Sequence, residues 1–342
     1  MALVTDVFEQ NSWGLVEFQE QVVERVDHRP QLLGQLDIFE PIYSRSQTIA
    51  IASKDRTLSL IPTSEIGAPL EQLIPGGAKV RKFDAVRLAK ESTIHAIELA
   101  GVTALPFDDQ TVEVADEVTG RTGWIIDEIE MTWEHMRFGA VQGKVVDADG
   151  VTVLHDWYQE WGIPQPTEIN FQLGTEATDV RKKCRDIKRA SQTNAKGVWT
   201  PSTRLVSICG DGFFDDLVNH PSIKETRLNT DRAALLENIE GYASFEVEGI
   251  TFINYQGTDD ASQIAIATDK AQFFPVGARG AFKVGYAPAN EFKPYLNKRG
   301  RELYGMILAD PSGRDAWDRV EVYSYPLFIC TRPEMLQRAR AR

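Results

Sequence analysis

The chain has 342 residues, 42% of them hydrophobic and 25% charged, enough to build a sizeable buried core and unlike the composition of a disordered chain. Its formal charge of −13 argues against a general nucleic-acid binder, which needs a basic face for phosphate. No run of about 18 apolar residues is present, so neither a transmembrane helix nor a membrane partner is expected, and the opening MALVTDVFEQNSWG lacks the basic-then-apolar order of a secretory signal.

Residues 1–30 read as an acidic arm. Asp6, Glu9, Glu17, Glu20, Glu24 and Asp27 outweigh Arg25 and Arg29, and Val16, Phe18, Val22 and Val23 form an imperfect apolar stripe. Residues 47–61 predict two strands, QTIAIAS and RTLSLI, turning at Lys54-Asp55. The stretch SLIPTSEIGAPLEQLIPGGAKVRKFDAVRLAKE follows from residue 59. It is apolar on both sides but broken by Pro62, Pro69, Pro75, Gly76 and Gly77, too long for a tight turn and too apolar for a disordered linker. KVRKFDAVRLAKES then returns as extended chain, although Val80, Lys82 and Asp84 against Arg81 and Phe83 do not sort into one clean face. A long two-stranded ribbon is marginal alone and needs a surface from elsewhere.

Residues 106–142 predict a helix, because Ile125, Ile129, Trp133, Met136 and Ala140 recur at three- and four-residue steps. Gly120 and Gly123 predict a break or late start, and Gly139 or Gly143 the end. In GKVVDADGVTVLHDW two β-branched runs flank Asp147-Ala148-Asp149-Gly150, a hairpin pattern. Residues 175–195 predict a charged amphipathic helix with Val180, Cys184 and Ile187 on one side; RLVSICG predicts a buried strand, and DGFFDDLVNHPSIKE a helix begun by Asp211 or Asp215. Further strands are expected over SFEVEGITFINY, SQIAIAT, AFKVGYAP and DRVEVYSYPLFIC. Without a regular βαβ alternation or an internal repeat, the expected class is α+β.

No catalytic pattern emerges: GxSxG, Walker A, HExxH and GxGxxG are all absent. His28, His95, His135, His155 and His220 are scattered, and Cys184, Cys209 and Cys330 form no CxxC pair, which fits a reducing compartment. Asp147 and Asp149 lack the further acid of a calcium loop, position 145 being Val, so a turn is expected there. Asp211, Asp215 and Asp216 are expected to serve turn and N-cap duty rather than a metal. The tryptophans and Phe213-Phe214 are assigned to core. The terminal QRARAR, with Arg338, Arg340 and Arg342, reads as a solvated tail or a contact to nucleic acid or to a neighbour's acidic arm. No catalytic residue, cofactor or metal is expected, and the chain is not expected to be an enzyme.

The order of parts is more informative than any one motif: an acidic arm, a ribbon with a Pro/Gly-broken tip, VRKFDAVRLAKESTIHA, a long helix ending MTWEHMRFGAVQGKVVDADG, and the closing YAPANEFKPYLNKRGRELYGMILADPSGRDAWDRVEVYSYPLFICTRPEML. Over nearly its whole length the chain resembles the major capsid proteins of tailed bacteriophages, specifically the lambda gpE-like family with the HK97 fold. The resemblance implies that residues 1–30 are an N-terminal arm and that 31–105 lead into and contain the E-loop, the ribbon of about 45–92. It makes 106–174 a peripheral domain with spine helix and hairpin, 175–310 an axial domain, and 311–342 a return strand (about 318–332) of the peripheral domain with a basic tail. It implies hexamers and pentamers that close an icosahedral shell around a double-stranded DNA genome.

On this reading the chain is a virion protein assembled in the host cytoplasm. Its partners are copies of itself, with a portal, a scaffold and, as in other lambda-type shells, a decoration protein, and it touches packaged DNA weakly and without sequence preference. Ribbon residues Ile61, Ile66, Leu70, Leu73, Ile74 and Phe83 would bury themselves on a neighbour, and Arg81, Lys82 and Arg87 would pair across that joint. Ile125, Ile129, Trp133 and Met136 would form the core face of the spine helix. Lys54 and Lys79 lie in the ribbon, but no partner Asn or catalytic Glu is identifiable, so no covalent crosslink is expected. The alternatives are another phage-derived assembly protein, such as an encapsulin-like container or tail-tube component, and a metal-assisted enzyme using Asp211, Asp215 or Asp147.

Overall fold

A computed structural model of the chain describes residues 32–53, 79–99, 110–195, 197–224, 244–255, 266–314 and 316–342. The expected N-terminal arm, 1–30, lies outside them. The described residues mix helices and strands without a βαβ repeat, an α+β arrangement organised around one long helix, Gln110–Gln142. Ile125, Ile129, Trp133, Met136 and Ala140 are all buried on one side of it. The helix runs through Gly120 and Gly123 without the expected break. Each glycine costs about 1 kcal/mol of propensity, and burial of the apolar face outweighs that cost. It stops at Gly143, whose φ of +83° favours glycine and whose N–H donates to the Ala140 carbonyl.

Strands β5 (Lys144–Val146) and β6 (Val153–Asp156) then form the expected hairpin. At its tip the Asp149 carboxylate accepts from the Val151 and Thr152 N–H groups and from the Thr152 hydroxyl. These bonds, the hydroxyl first, hold its pKa below the usual carboxylate value and occupy it as a turn residue. Asp156 next caps the short helix Trp157–Trp161 by accepting from the Tyr158 and Gln159 N–H groups.

Two three-stranded sheets pack with the long helix. One has the order β1 (Glu40–Tyr43), β12 (Phe282–Tyr286), β15 (Pro326–Cys330); the other has β13 (Tyr304–Ala309), β14 (Trp317–Ser324), β4 (Leu88–His95). DRVEVYSYPLFIC, expected as one strand, is therefore two strands in different sheets. The break falls at Tyr325, whose carbonyl accepts from the Ala287 N–H, and at Pro326, which has no N–H to give.

A six-stranded sheet has the order β7 (Ile169–Asn170), β16 (Gln337–Arg340), β11 (Lys270–Val276), β8 (Arg204–Cys209), β10 (Ile250–Asn254), β9 (Ser244–Val247). Leu205, Cys209, Phe252, Phe273 and Ala339 on one face pack with Val180, Cys184 and Ile187 of the helix Val180–Asn194 and with Phe213 and Leu217 of the helix Asp211–Asn219. Val206, Ile208, Ile253 and Phe274 on the other face join the core of the long helix. SFEVEGITFINY is a hairpin rather than one strand, turning at Glu248 and Gly249 with φ of +53° and +74°. Of SQIAIAT, residues 262–265 lie outside the described residues, and 266–268 are not strand.

Other expectations are corrected by this topology. QRARAR is no solvated tail: Gln337–Arg340 is a strand between two others, with Ala339 and Ala341 buried. The Arg338 Nε donates to the Pro166 carbonyl, and Arg342 stands 3.4 Å from Asp216. Asp211 opens its helix but does not cap it; the cap position is Gly210, which makes no side-chain bond. Sheet membership does not follow the expected boundary at 310, because 282–286 and 304–309 pair with strands of the outer segments while 337–340 enters the six-stranded sheet. Pairings across so many residues leave no local mark in a sequence.

Candidate assembly surfaces

The ribbon's base is an antiparallel pair, β2 (Thr48–Ser53) with β3 (Lys79–Asp84), in register from Thr48↔Asp84 to Ser53↔Lys79. Contrary to the sequence reading, β3 does sort into faces: Val80, Lys82 and Asp84 are exposed, while Phe83 is buried and Arg81 half-buried on the other side. The Phe83 ring meets Trp157 edge-on at 5.2 Å and lies 5.9 Å from Trp161. The Arg81 guanidinium sits 5.1 Å over the Trp161 ring and donates to the Trp161 carbonyl. Ile49 and Ile51 are buried in the same core.

The hairpin and its short helix thus seat the ribbon's root inside its own chain, and three residues expected at the subunit joint have partners within it. Phe83 is spent on the internal core and Arg81 on Trp161. Arg87 pairs at 2.7 Å with Glu291 and lies over the Tyr323 ring. Lys82 remains outward, with no ion pair among the described residues. Residues 88–92 belong to β4, paired with β14, and not to the ribbon. Ile61, Ile66, Leu70, Leu73, Ile74 and Lys54 lie outside the described residues.

A second feature joins the chain after residue 31 to the long helix. Glu134 is fully buried. Its Oε1 accepts from the Leu33 N–H at 2.8 Å and its Oε2 from the Gly34 N–H at 3.2 Å, with the Arg137 Nη1 at 3.4 Å. Leu33 and Gly34 lie in the one-turn helix Leu32–Gln35, whose first N–H groups have no partner within the helix. Burial raises the Glu134 pKa, opposed by these bonds and by Arg137. Arg137 also lies over the Phe328 ring at 5.5 Å. Beside it a cavity of about 270 Å³ is lined by Asp37, Glu130, Trp133, Tyr286 and Glu302. Burial pushes the Glu130 carboxyl up to about 7.

Trp124, expected in the core with the other tryptophans, is instead 72% exposed on the long helix. It lies on the stripe that carries Glu117, Arg121 and Glu128, between the Lys90–Glu128 pair and the Arg121 pairs to Glu117 and Glu98. Its only signal is that it falls on the polar side of the helical period. An exposed ring framed by ion pairs has the make-up of an interface anchor.

The groups that could have supplied chemistry are dispersed. His95 is exposed, and His135 Nε2 lies 3.3 Å from the Asp147 carbonyl. His155 stacks on Trp157, and His220 bridges Ser222 and the Thr175 carbonyl; His28 lies outside the described residues. Cys184, Cys209 and Cys330 are free and buried, and burial pushes each thiol up to about 12. Among the described residues no group of three His, Cys, Asp or Glu side chains could hold a metal, and no helix is long and apolar enough to cross a membrane.

A long helix under two small sheets, a hairpin that roots an extended ribbon, and a six-stranded sheet with its own helices define an HK97-type capsid fold. The putative capsid protein of an Escherichia coli CFT073 prophage superposes with a TM-score of 0.62 at 14% identity, over 95% of this chain and 98% of that one. The capsid protein of cyanophage A-1(L) gives 0.51 at 12% identity, over 90% and 91%. The family model for phage major capsid protein E matches residues 19–341, and the chain belongs to that family. It is 27% identical over 304 residues to the major capsid protein of Pseudomonas phage KPP10, covering 82% of this chain and 84% of that protein. Identity to the major capsid protein of Salmonella phage Felix O1 is 26% over 244 residues, 63% of this chain and 65% of that protein, a little under two thirds of its length. Proteins of this family are structural components of the virion, and they associate with copies of themselves.

Proposed function

We propose that the chain assembles into hexamers and pentamers that close an icosahedral shell around double-stranded DNA, built in the host cytoplasm with a portal and a scaffold. The observation that carries the ribbon's part is its root. β2 and β3 are fixed to the chain's own core through Phe83, Ile49 and Ile51, so residues 54–78, which join them, start from a rigid base. That segment holds Ile61, Ile66, Leu70, Leu73 and Ile74, which supply apolar area to an adjacent subunit. Obligate interfaces bury about 2,000–5,000 Å² and are rich in such contacts. Within a closed ring each further contact is effectively intramolecular, so modest pair energies sum to a tough shell. Lys82 and Trp124 face outward and belong to the same set of contacts. Residues 1–30, with their acidic excess, act as an arm, and the six-stranded sheet forms the part that meets its copies at the capsomer centre.

The test is deletion of residues 62–78, followed by size-exclusion chromatography and negative-stain electron microscopy beside the intact chain. The intact chain gives polyhedra or rings of five and six; the deletion gives soluble subunits or open capsomers. Normal closed particles from the deletion would overturn the ribbon's role.

A further inference from the structure

The helix Val180–Asn194 breaks a local rule. It carries six basic side chains, Arg181, Lys182, Lys183, Arg185, Lys188 and Arg189, against the single acid Asp186, in a chain whose formal charge is −13. Three of the six stand in the first turn, which holds no acid. There the helix dipole disfavours cations. Propensity and capping do not require them, since Asp179 already caps the helix by accepting from the Lys182 N–H at 2.9 Å.

The core-facing side is closed off by Val180, Cys184, Ile187 and Ser191, all fully buried. The charges therefore lie on the flanks and the outward side. Along one flank Arg181, Arg185 and Lys188 converge on a single residue, Glu248, at the β9–β10 turn. Arg181 Nε is 2.6 Å and Arg185 Nη1 3.3 Å from its carboxylate, and Lys188 donates to its carbonyl. The Glu248 carboxylate orients two cations and its carbonyl a third, while its single charge neutralises one, so an excess of positive charge is held in fixed positions. Among the described residues Arg189, 73% exposed, pairs only with Asp186, at 3.7 Å, and Lys182 is exposed with no ion pair. From residue 181 to 189 the row spans about 12 Å at 1.5 Å per residue, the length over which one strand of duplex DNA presents three to four phosphates at 3.4 Å each.

We propose that the outward face of this helix is where the chain touches the phosphate backbone of duplex DNA. The inference rests on the shell reading, which puts DNA within reach, and assigns the weak contact to one element. A row in which six basic side chains outnumber the one acid, Asp186, with no aromatic side chain along the helix to stack a base, suits backbone contact without sequence readout. Because the Debye length is about 8–10 Å at 0.10–0.15 M salt, the row acts locally in spite of the acidic remainder. The contact stays weak enough for the duplex to slide past.

The test uses the full-length chain as unassembled subunits, with a mixed-sequence DNA duplex, titrated by fluorescence anisotropy between 50 and 200 mM salt. The double variant Lys182→Gln/Arg189→Gln leaves the Glu248 cluster and the core untouched. Each lost phosphate contact lowers the salt slope by about 0.9, so the intact chain loses about tenfold more affinity across this range than the variant. Equal slopes, or no binding by the intact chain at 50 mM, would overturn the proposal. So would a variant that binds DNA normally but no longer associates with its copies, because the face then belongs to an acidic surface of a second subunit. Electron microscopy of the intact chain reads the shell separately: DNA binding through this helix by a chain that forms neither polyhedra nor rings of five and six would sink the shell reading and leave the helix assignment standing.

Discussion

Replacing Glu134 by alanine should loosen the attachment of the chain after residue 31 to the long helix. The Leu33 and Gly34 N–H groups lose their acceptor, and an unsatisfied buried donor costs about 1–3 kcal/mol. Gly34 is only half-buried, so water recovers part of its share. Arg137 keeps its contacts to Trp133 and Phe328 but, at 19% exposure, loses a partner that water replaces only in part, which adds to the cost. Opposing these, the substitution removes the desolvation cost of a buried carboxylate. The balance is a loss of about 2–4 kcal/mol for Glu134→Ala and about 1–2 kcal/mol for Glu134→Gln, which retains one acceptor. Urea unfolding of the unassembled subunit measures both, and hydrogen exchange at Leu33 and Gly34 locates the change. If Glu134→Ala falls within 0.5 kcal/mol of the parent and both amides stay protected, the carboxylate is not what holds this turn.

Five further substitutions test the core and its electrostatics. Glu130 has a folded pKa of about 7, above its ordinary 4.5, so folding takes up a proton between those values. Its contribution is most favourable below about pH 4.5 and is lost as pH rises through 7; the difference in Tm between Glu130→Gln and the parent should therefore shift toward the variant from pH 5 to pH 8, and a pH-independent difference would refute this. Phe83→Ala should cost about 3–5 kcal/mol in urea unfolding, whereas Lys82→Ala on the opposite side of the same strand stays within about 0.5 kcal/mol. Two glycines of one helix should respond with opposite sign. Gly120→Ala meets open space and stabilises by about 1 kcal/mol, while a Cβ at Gly139 would meet the Lys144 carbonyl oxygen at 2.7 Å and the Val145 Cα at 2.9 Å and so destabilises.

What could be read from the sequence was what repeats locally. The 3–4 spacing of Ile125, Ile129, Trp133, Met136 and Ala140 located the buried side of the long helix, and Val180, Cys184 and Ile187 did the same for the basic one. Alternation failed where strands are buried on both faces: KAQFFPV (270–276) shows no period of two and was not foreseen. In KVRKFD the sides are set by Trp157 and Trp161, more than 70 residues away, so Arg81 looked like a surface cation and Phe83 like an offering to a neighbour. Glu134 resembled any other polar position on the helix, because its partners are the backbone N–H groups of Leu33 and Gly34.

The place of β16 sets a clock on production. Gln337–Arg340 lies between β7 and β11, and among the described residues β7 bonds to the six-stranded sheet only through it. After Ile169–Asn170 a ribosome must therefore polymerise about 170 further residues before that pair gains its neighbour. Pairing across so wide a separation is slow, and a chain interrupted upstream carries an unfilled slot where a strand should be. Incomplete products are thereby marked by an open sheet edge, a defect that a growing lattice of complete subunits can reject and a protease can find.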